Sequence, residues 1–212
     1  MIIVPTLFDA ALSDIGLPQQ TLSKKKAEEL FIFFKQHSLF NWNNSNNFCE
    51  ARADALCLLL EEWDILSYKA WVFSGSYLKN HVGELKQNWK YHVAPLLPVQ
   101  EEDQIIYYVL DPATGNALQR IEVWAAGITQ LPHSYYCMRQ AHWYIFPDKN
   151  ISTAKWNTRN KQNRKWMIQC LAGINSLTAA GTAMLIFNKE RIKNTLAAFN
   201  RARKERPVLN DR

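Results

Sequence analysis

The chain has 212 residues, of which 48% are hydrophobic and 12% aromatic. That is enough for one sizeable core and too apolar for a disordered chain, and the lack of a fixed-period repeat argues against a solenoid or fibrous protein. The net charge of +6 is uneven: residues 155–212 hold 13 Lys+Arg against 3 Asp+Glu, while residues 1–154 hold 12 and 16. A mildly acidic body is thus followed by a basic C-terminal quarter, which is either a surface for an acidic partner, nucleic acid or membrane, or a plain solvated helix face.

The opening stretch, MIIVPTLFDAALSDIGLPQQ, lacks a basic start and meets Asp9 and Asp14 early, so no secretory leader is expected. The cysteines, Cys49, Cys57, Cys137 and Cys170, are far apart and form no CxxC pair. That spacing argues against a disulfide framework or a zinc site and favours a reducing compartment.

Taken along the chain, TLSKKKAEELFIFFKQHS predicts a helix over 21–38, capped by Thr21 or Ser23, with Leu30, Phe31, Phe33 and Phe34 as its apolar stripe. An Asn-rich loop, 41–47, leads to a second helix over 49–63, on which Ala53, Leu56, Leu60 and Trp63 share one face. The period then changes to that of strands over 68–75, 91–99 and 104–111. Pro95 and Pro98 place the middle one at a sheet edge or on a bulge, and the short QEED link makes an antiparallel hairpin of the last two. Helices followed by a run of strands read as α+β.

Beyond Asp111 the pattern is less distinct. RIEVWAAGI is a strand end or a short helix, 134–146 is aromatic and ambiguous, and Ser152 or Thr153 would start a further helix. Residues 166–187 lack charge and match a bilayer span in length, but Gln169, Asn175, Ser176, Thr178 and Thr182 favour a buried helix pair broken near Gly173 or Gly181. The last stretch, from Lys189, is a basic amphipathic helix with Ile192, Leu196 and Phe199 on one side, and the tail beyond Pro207 is expected to be loose. Two regions follow from this reading, a body over 1–150 and a basic helical extension over 151–212.

Three segments carry chemistry. Cys49 begins a helix, where the partial positive charge of the N-terminus favours a thiolate. His92 sits early on a strand in WKYHVAPL, and Asp111 ends the next strand in YYVLDPAT. The hairpin brings His92 and Asp111 to one end, so a base for the thiol and a carboxylate to orient that base lie together. Each residue also has a plainer explanation: a packed cysteine, a satisfied core histidine, and an aspartate in a turn before proline.

The segments CEARADAL, WKYHVAPLL and YYVLDPAT, followed by Trp124, with gaps of 43 and 19 residues between Cys49, His92 and Asp111, resemble the bacterial protein glutaminases. The resemblance covers residues 41–125. It implies a papain- or transglutaminase-like core with the nucleophile at a helix N-terminus packed on an antiparallel sheet. It also implies deamidation of glutamine side chains in proteins to glutamate and ammonia, with no metal or organic cofactor. On that pattern Cys49 is the nucleophile, His92 the general base and acid, and Asp111 the orienting carboxylate. Asn47 is a candidate oxyanion donor, and Trp42, Trp89 and Trp124 either wall the amide slot or are core. Phe48 and Glu50 depart from the small and aromatic neighbours common around the family's cysteine, which bears on substrate choice.

The implied partner is a protein with an accessible glutamine, together with an inhibitory or immunity partner that would spare the producer. A leaderless deamidase of this kind fits a bacterial effector or toxin, made in the cytoplasm and delivered into another cell. The same triad also serves a cysteine protease or a transglutaminase, and a non-catalytic module binding nucleic acid or membrane through residues 151–212 is the reading of another class.

Overall fold

The computed structural model describes residues 6–43, 48–75, 77, 83–130, 134–146, 157, 160–174 and 188–209. A mixed sheet of seven strands carries the molecule: β1 (Thr6–Phe8), β2 (Leu22–Ser23), β3 (Tyr68–Phe73), β4 (Tyr91–Glu101), β5 (Gln104–Val109), β6 (Gln119–Arg120) and β7 (Ser134–Gln140). Their order is β1-β7-β3-β4-β5-β6, with β2 laid parallel against the end of β4 and β1 parallel to β7. The other pairings are antiparallel. The β4–β5 hairpin has Glu101 opposite Gln104, and Glu102 adopts the left-handed conformation, φ 52°, that a two-residue hairpin loop requires.

The helices are α1 (Lys24–Gln36), α2 (Cys49–Glu62), α3 (Ile121–Ile128), α4 (Lys161–Ile174) and α5 (Lys189–Ala202). Ser23 caps α1 by accepting the Lys26 N–H, which assigns the cap left open between Thr21 and Ser23. Ala27, Leu30, Phe31 and Phe34 are its buried face. In α2 every residue from Ala51 to Leu60 is buried, so the single apolar face expected for this helix is a correction. The sheet lies on one side, α1 and α4 cover others, and the polar positions Arg52 and Asp54 are buried with the rest. Lys69 of β3 donates to Asp54 Oδ1 at 2.8 Å, and also to the Trp143 carbonyl at 2.6 Å.

The prolines of β4 do not mark a sheet edge, because β4 lies between β3 and β5. Each half of the strand nevertheless has one open side. Residues 91–96 pair with β3 and 96–101 with β5, and β2 joins only from Val99. Pro95 and Pro98 therefore lack an N–H where one ladder is missing. RIEVWAAGI resolves into α3, directly after β6, and the aromatic 134–146 stretch contains β7.

Leu97 and Val99 of β4 pack with α1, α2, α4 and α5 in one core, which includes Met167, Ile168, Leu171, Phe199 and Ala202. The two helices beyond residue 150 thus pack into the main core. On α5 the buried positions are Thr195, Phe199 and Ala202, whereas Leu196 remains 46% exposed. Ser152, Thr153, the 175–187 half of the uncharged stretch and the tail end lie outside the described residues. Among the described residues no helix is long and apolar enough to cross a membrane. A second core on the other face of the sheet joins Ala70, Val72, Ala94, Leu96 and Val109 to Ile121, Trp124 and Ile128 of α3.

Candidate active site

The site lies in the notch where β4 and β5 part. Their ladder runs from Glu101–Gln104 to Leu96–Val109, is extended by the Leu110 N–H bond to the Pro95 carbonyl (2.9 Å), and then opens. Continuing the register puts Asp111 opposite Ala94, on the face that His92 shares, because strand residues two apart point the same way. His92 Nε2 donates to Asp111 Oδ2 at 2.8 Å, with both side chains buried. The two residues that the hairpin was expected to bring together are in contact.

Asp111 is held from several directions. Its Oδ2 also accepts from Thr114 Oγ1 (2.6 Å) and Trp124 Nε1 (3.0 Å), and its Oδ1 accepts the Ala113 N–H (3.2 Å). Burial, the largest influence, would raise its pKa. The neighbouring His92 and the hydrogen bonds from His92, Thr114 and Trp124 outweigh that and bring it down to about 2. The Asp-Pro turn and the carboxylate behind the histidine are therefore one feature, with one oxygen for each task.

The tryptophans divide. Trp124 is buried on α3 and bonded to Asp111 and Thr114, with its ring 5.7 Å from His92. Trp89 stacks on His92, centroids 4.5 Å apart at 16°. Trp42 is set apart from His92: it stacks on Phe40, donates to the Phe34 carbonyl and lies under the Arg52 guanidinium at 5.8 Å. Asn47 lies outside the described residues.

Cys49 is the first residue of α2, and Phe48 before it is left-handed (φ 59°, ψ 38°) and caps the helix with no side-chain bond. A phenylalanine in that conformation costs on the order of 1–3 kcal/mol, held in place by the surrounding packing. The sulfur packs with Val93 of β4 on the α2 side of the sheet. Its hydrogen-bond partner is Glu50 Oε2, at 3.5 Å, and not His92. Successive residues of β4 explain the separation: Val93 points to the α2 side of the sheet and His92 to the α3 side. The thiol pKa is raised well above its ordinary value, first by burial and then by Glu50, against the opposing pull of Arg52 and the Val93 amide. The helix N-terminus alone would lower the thiol pKa; burial and Glu50 turn the shift the other way.

Thr114, Tyr91 and Arg52 are not signalled as site neighbours by the sequence motifs, whereas Glu50 is, beside Cys49. Thr114 was visible in principle, since Asp-Pro-x-Thr is a turn in which the hydroxyl reaches back to the carboxylate. A cavity of about 400 Å³ along the far end of α2, lined by Asp54, Glu61, Ser67 and His142, contains none of Cys49, His92 and Asp111.

A protein-family model described as Glutaminase matches residues 22–128. Among solved structures the chain is similar to a pro-protein-glutaminase, with TM-score 0.55 and 14% identity over 82% of this chain and 68% of that one. It is also similar to a mutant pro-protein-glutaminase, with TM-score 0.53 and 15% identity over 78% of this chain and 64% of that one. The chain thus spans about two thirds of the length of these structures, which share its fold. No curated relative matches. The matched region runs from the start of β2 to the end of α3 and contains Cys49, His92, Asp111 and Trp124, and the chain belongs to the protein-glutaminase family.

Proposed function

We propose that the protein is a protein-glutamine deamidase working through a thioester on Cys49, with a papain- or transglutaminase-like arrangement of Cys49, His92 and Asp111. The observation that carries this reading is the buried His92–Asp111 pair, fixed by Thr114 and Trp124. Asp111 occupies Nε2 of His92, and Nδ1 makes no hydrogen bond among the described residues, which leaves it to take a proton.

In this mechanism Cys49 turns from Glu50 and gives its proton to His92 Nδ1. The sulfur attacks the side-chain carbonyl carbon of a glutamine, and the carbonyl oxygen becomes an oxyanion. The Cys49 backbone N–H is among the first four of its helix, has no carbonyl of its own helix to bond, and serves as an oxyanion donor. The imidazolium returns its proton to the departing nitrogen, so ammonia leaves and a thioester remains. Water then gives a proton to His92 and attacks the thioester carbon, releasing glutamate and restoring the thiol. Asp111 stays ionised throughout and steadies the imidazolium.

Mass spectrometry of a glutamine-rich protein treated with the intact enzyme and with Cys49→Ala tests the reading. The expected result is glutamine-to-glutamate conversion with ammonia release and an intact backbone, only when Cys49 is present. Chain cleavage would reassign the triad to a protease, glutamine–lysine cross-links would make it a transglutaminase, and equal conversion by Cys49→Ala would remove Cys49 from the chemistry.

A further inference from the structure

The Cys49 sulfur and the His92 ring lie on either side of β4, and the side chain that holds the sulfur is Glu50. Glu50 is half-buried, one residue beyond the nucleophile, and its charge also reaches Tyr91, the strand residue before His92. We propose that Glu50 is a gate on the nucleophile that also selects substrate. It holds the Cys49 thiol in a hydrogen bond that keeps the sulfur off His92, and a glutamine flanked by lysine or arginine releases the thiol by drawing the carboxylate into an ion pair.

The charged and titratable groups around the thiol define the balance. Glu50 and Arg52 come from α2 and Tyr91 from β4, with Tyr77 packed on Tyr91; Asp111 acts on Arg52, and Tyr144 and, on α4, Cys170 lie within the field of Glu50. Arg52 is buried over the Trp42 ring and fixed there. When Glu50 swings away, the sulfur is left with the Arg52 charge, the Val93 amide and the helix N-terminus, all of which favour the thiolate. One proton moves from Cys49 Sγ to His92 Nδ1, and the Glu50 carboxylate exchanges its hydrogen bond from the thiol for the substrate's ammonium or guanidinium. Glu50 is placed for this because it lies at the helix start beside the reacting sulfur. A flanking acidic residue would meet like charge and leave the gate shut.

The substrate half of this proposal rests on the deamidase reading, whereas the gate itself does not, and the experiment separates them. Iodoacetamide alkylation of Cys49 is followed against pH for the wild type, Glu50→Gln and Glu50→Asp, with folding checked by circular dichroism. Glu50→Gln is expected to alkylate about tenfold faster near neutral pH, with its profile displaced to lower pH, since each unit of thiol pKa is tenfold in thiolate. Glu50→Asp, which retracts the carboxylate by one methylene, is expected to move the same way by less, and it carries the test if Glu50→Gln does not fold. Coincident profiles, or a displacement to higher pH, would overturn the gate. Ammonia release is then measured on matched peptides centred on Lys-Gln-Lys, Ala-Gln-Ala and Glu-Gln-Glu. The wild type should favour the lysine-flanked peptide over the glutamate-flanked one by about tenfold in kcat/KM, a preference worth one ion pair in a partly exposed site. Glu50→Gln should lose that preference, and an unchanged preference would overturn the selection. If the wild type releases ammonia from none of them, selection fails together with the deamidase reading, and the alkylation profiles still decide the gate.

Discussion

Asp111 carries more of the site than its place in a turn suggests. Its pKa of about 2 lies below the ordinary 3.8, so its contribution to stability is complete above that ordinary value and is lost as pH falls through about 2. The contribution is on the order of 2 kcal/mol. Urea denaturation between pH 7 and pH 2 should therefore show a loss in the wild type that is missing in Asp111→Asn. In the proposed reaction the same substitution should cost about 10³–10⁴ in kcat, because an amide can neither fix the histidine tautomer nor steady the imidazolium. Trp124→Phe removes one of four donors to the carboxylate and should give a much smaller loss. Cys49 contrasts with the other thiols: Cys57, Cys137 and Cys170 are buried and raised by burial, Cys57 to about 11, while Cys49 keeps some solvent contact. Iodoacetamide on the native protein should therefore label Cys49 first, slowly, and the remaining three only after unfolding.

Among the elements, α2 is decisive, because it presents Cys49 and is buried nearly all round. Its interior polar anchor is the Asp54–Lys69 pair, which ties the helix to β3 in a place without solvent. Burial raises the Asp54 pKa and Lys69 opposes that rise, so the pair stands or falls together. Asp54→Ala would leave the Lys69 ammonium buried without its counter-charge, and urea denaturation should show a loss of about 3–5 kcal/mol. The double variant Asp54→Ala with Lys69→Met should recover much of it, since replacing both ions by apolar groups removes the uncompensated charge. Recovery would show that α2 is positioned by packing and the pair only has to be neutral.

For the whole molecule, the basic C-terminal quarter contributes α4 and α5 to the main core. Leu171 is fully buried there, beside residues of α1 and α2. Leu171→Ala should cost about 2–5 kcal/mol and lower the midpoint of the single transition seen by both fluorescence and circular dichroism. A separate early transition that leaves the Cys49 alkylation rate unchanged would mean instead that these helices unfold apart from the site. The charged residues of α5 lie on its exposed face, as its amphipathic pattern predicts, while its buried side is turned to Thr195, Phe199 and Ala202.

By itself the sequence determined the elements with a strong period and the residues that chemistry singles out. The stripe of α1, the β4–β5 hairpin, and the meeting of His92 with Asp111 all follow from local pattern and a short link. Local pattern does not carry burial from all sides, so it gave α2 one apolar face where the fold encloses ten consecutive residues. It could not place Pro95 and Pro98, because whether an N–H is missed depends on which strand lies alongside. Nor could it tell which partner the Cys49 sulfur takes. A helix N-terminus favours a thiolate in any sequence, but the alternation of Val93 and His92 across the sheet, and Glu50 at 3.5 Å, exist only once the chain is folded. Burial and the Glu50 carboxylate then raise the thiol pKa, the direction opposite to the one the helix end alone implies.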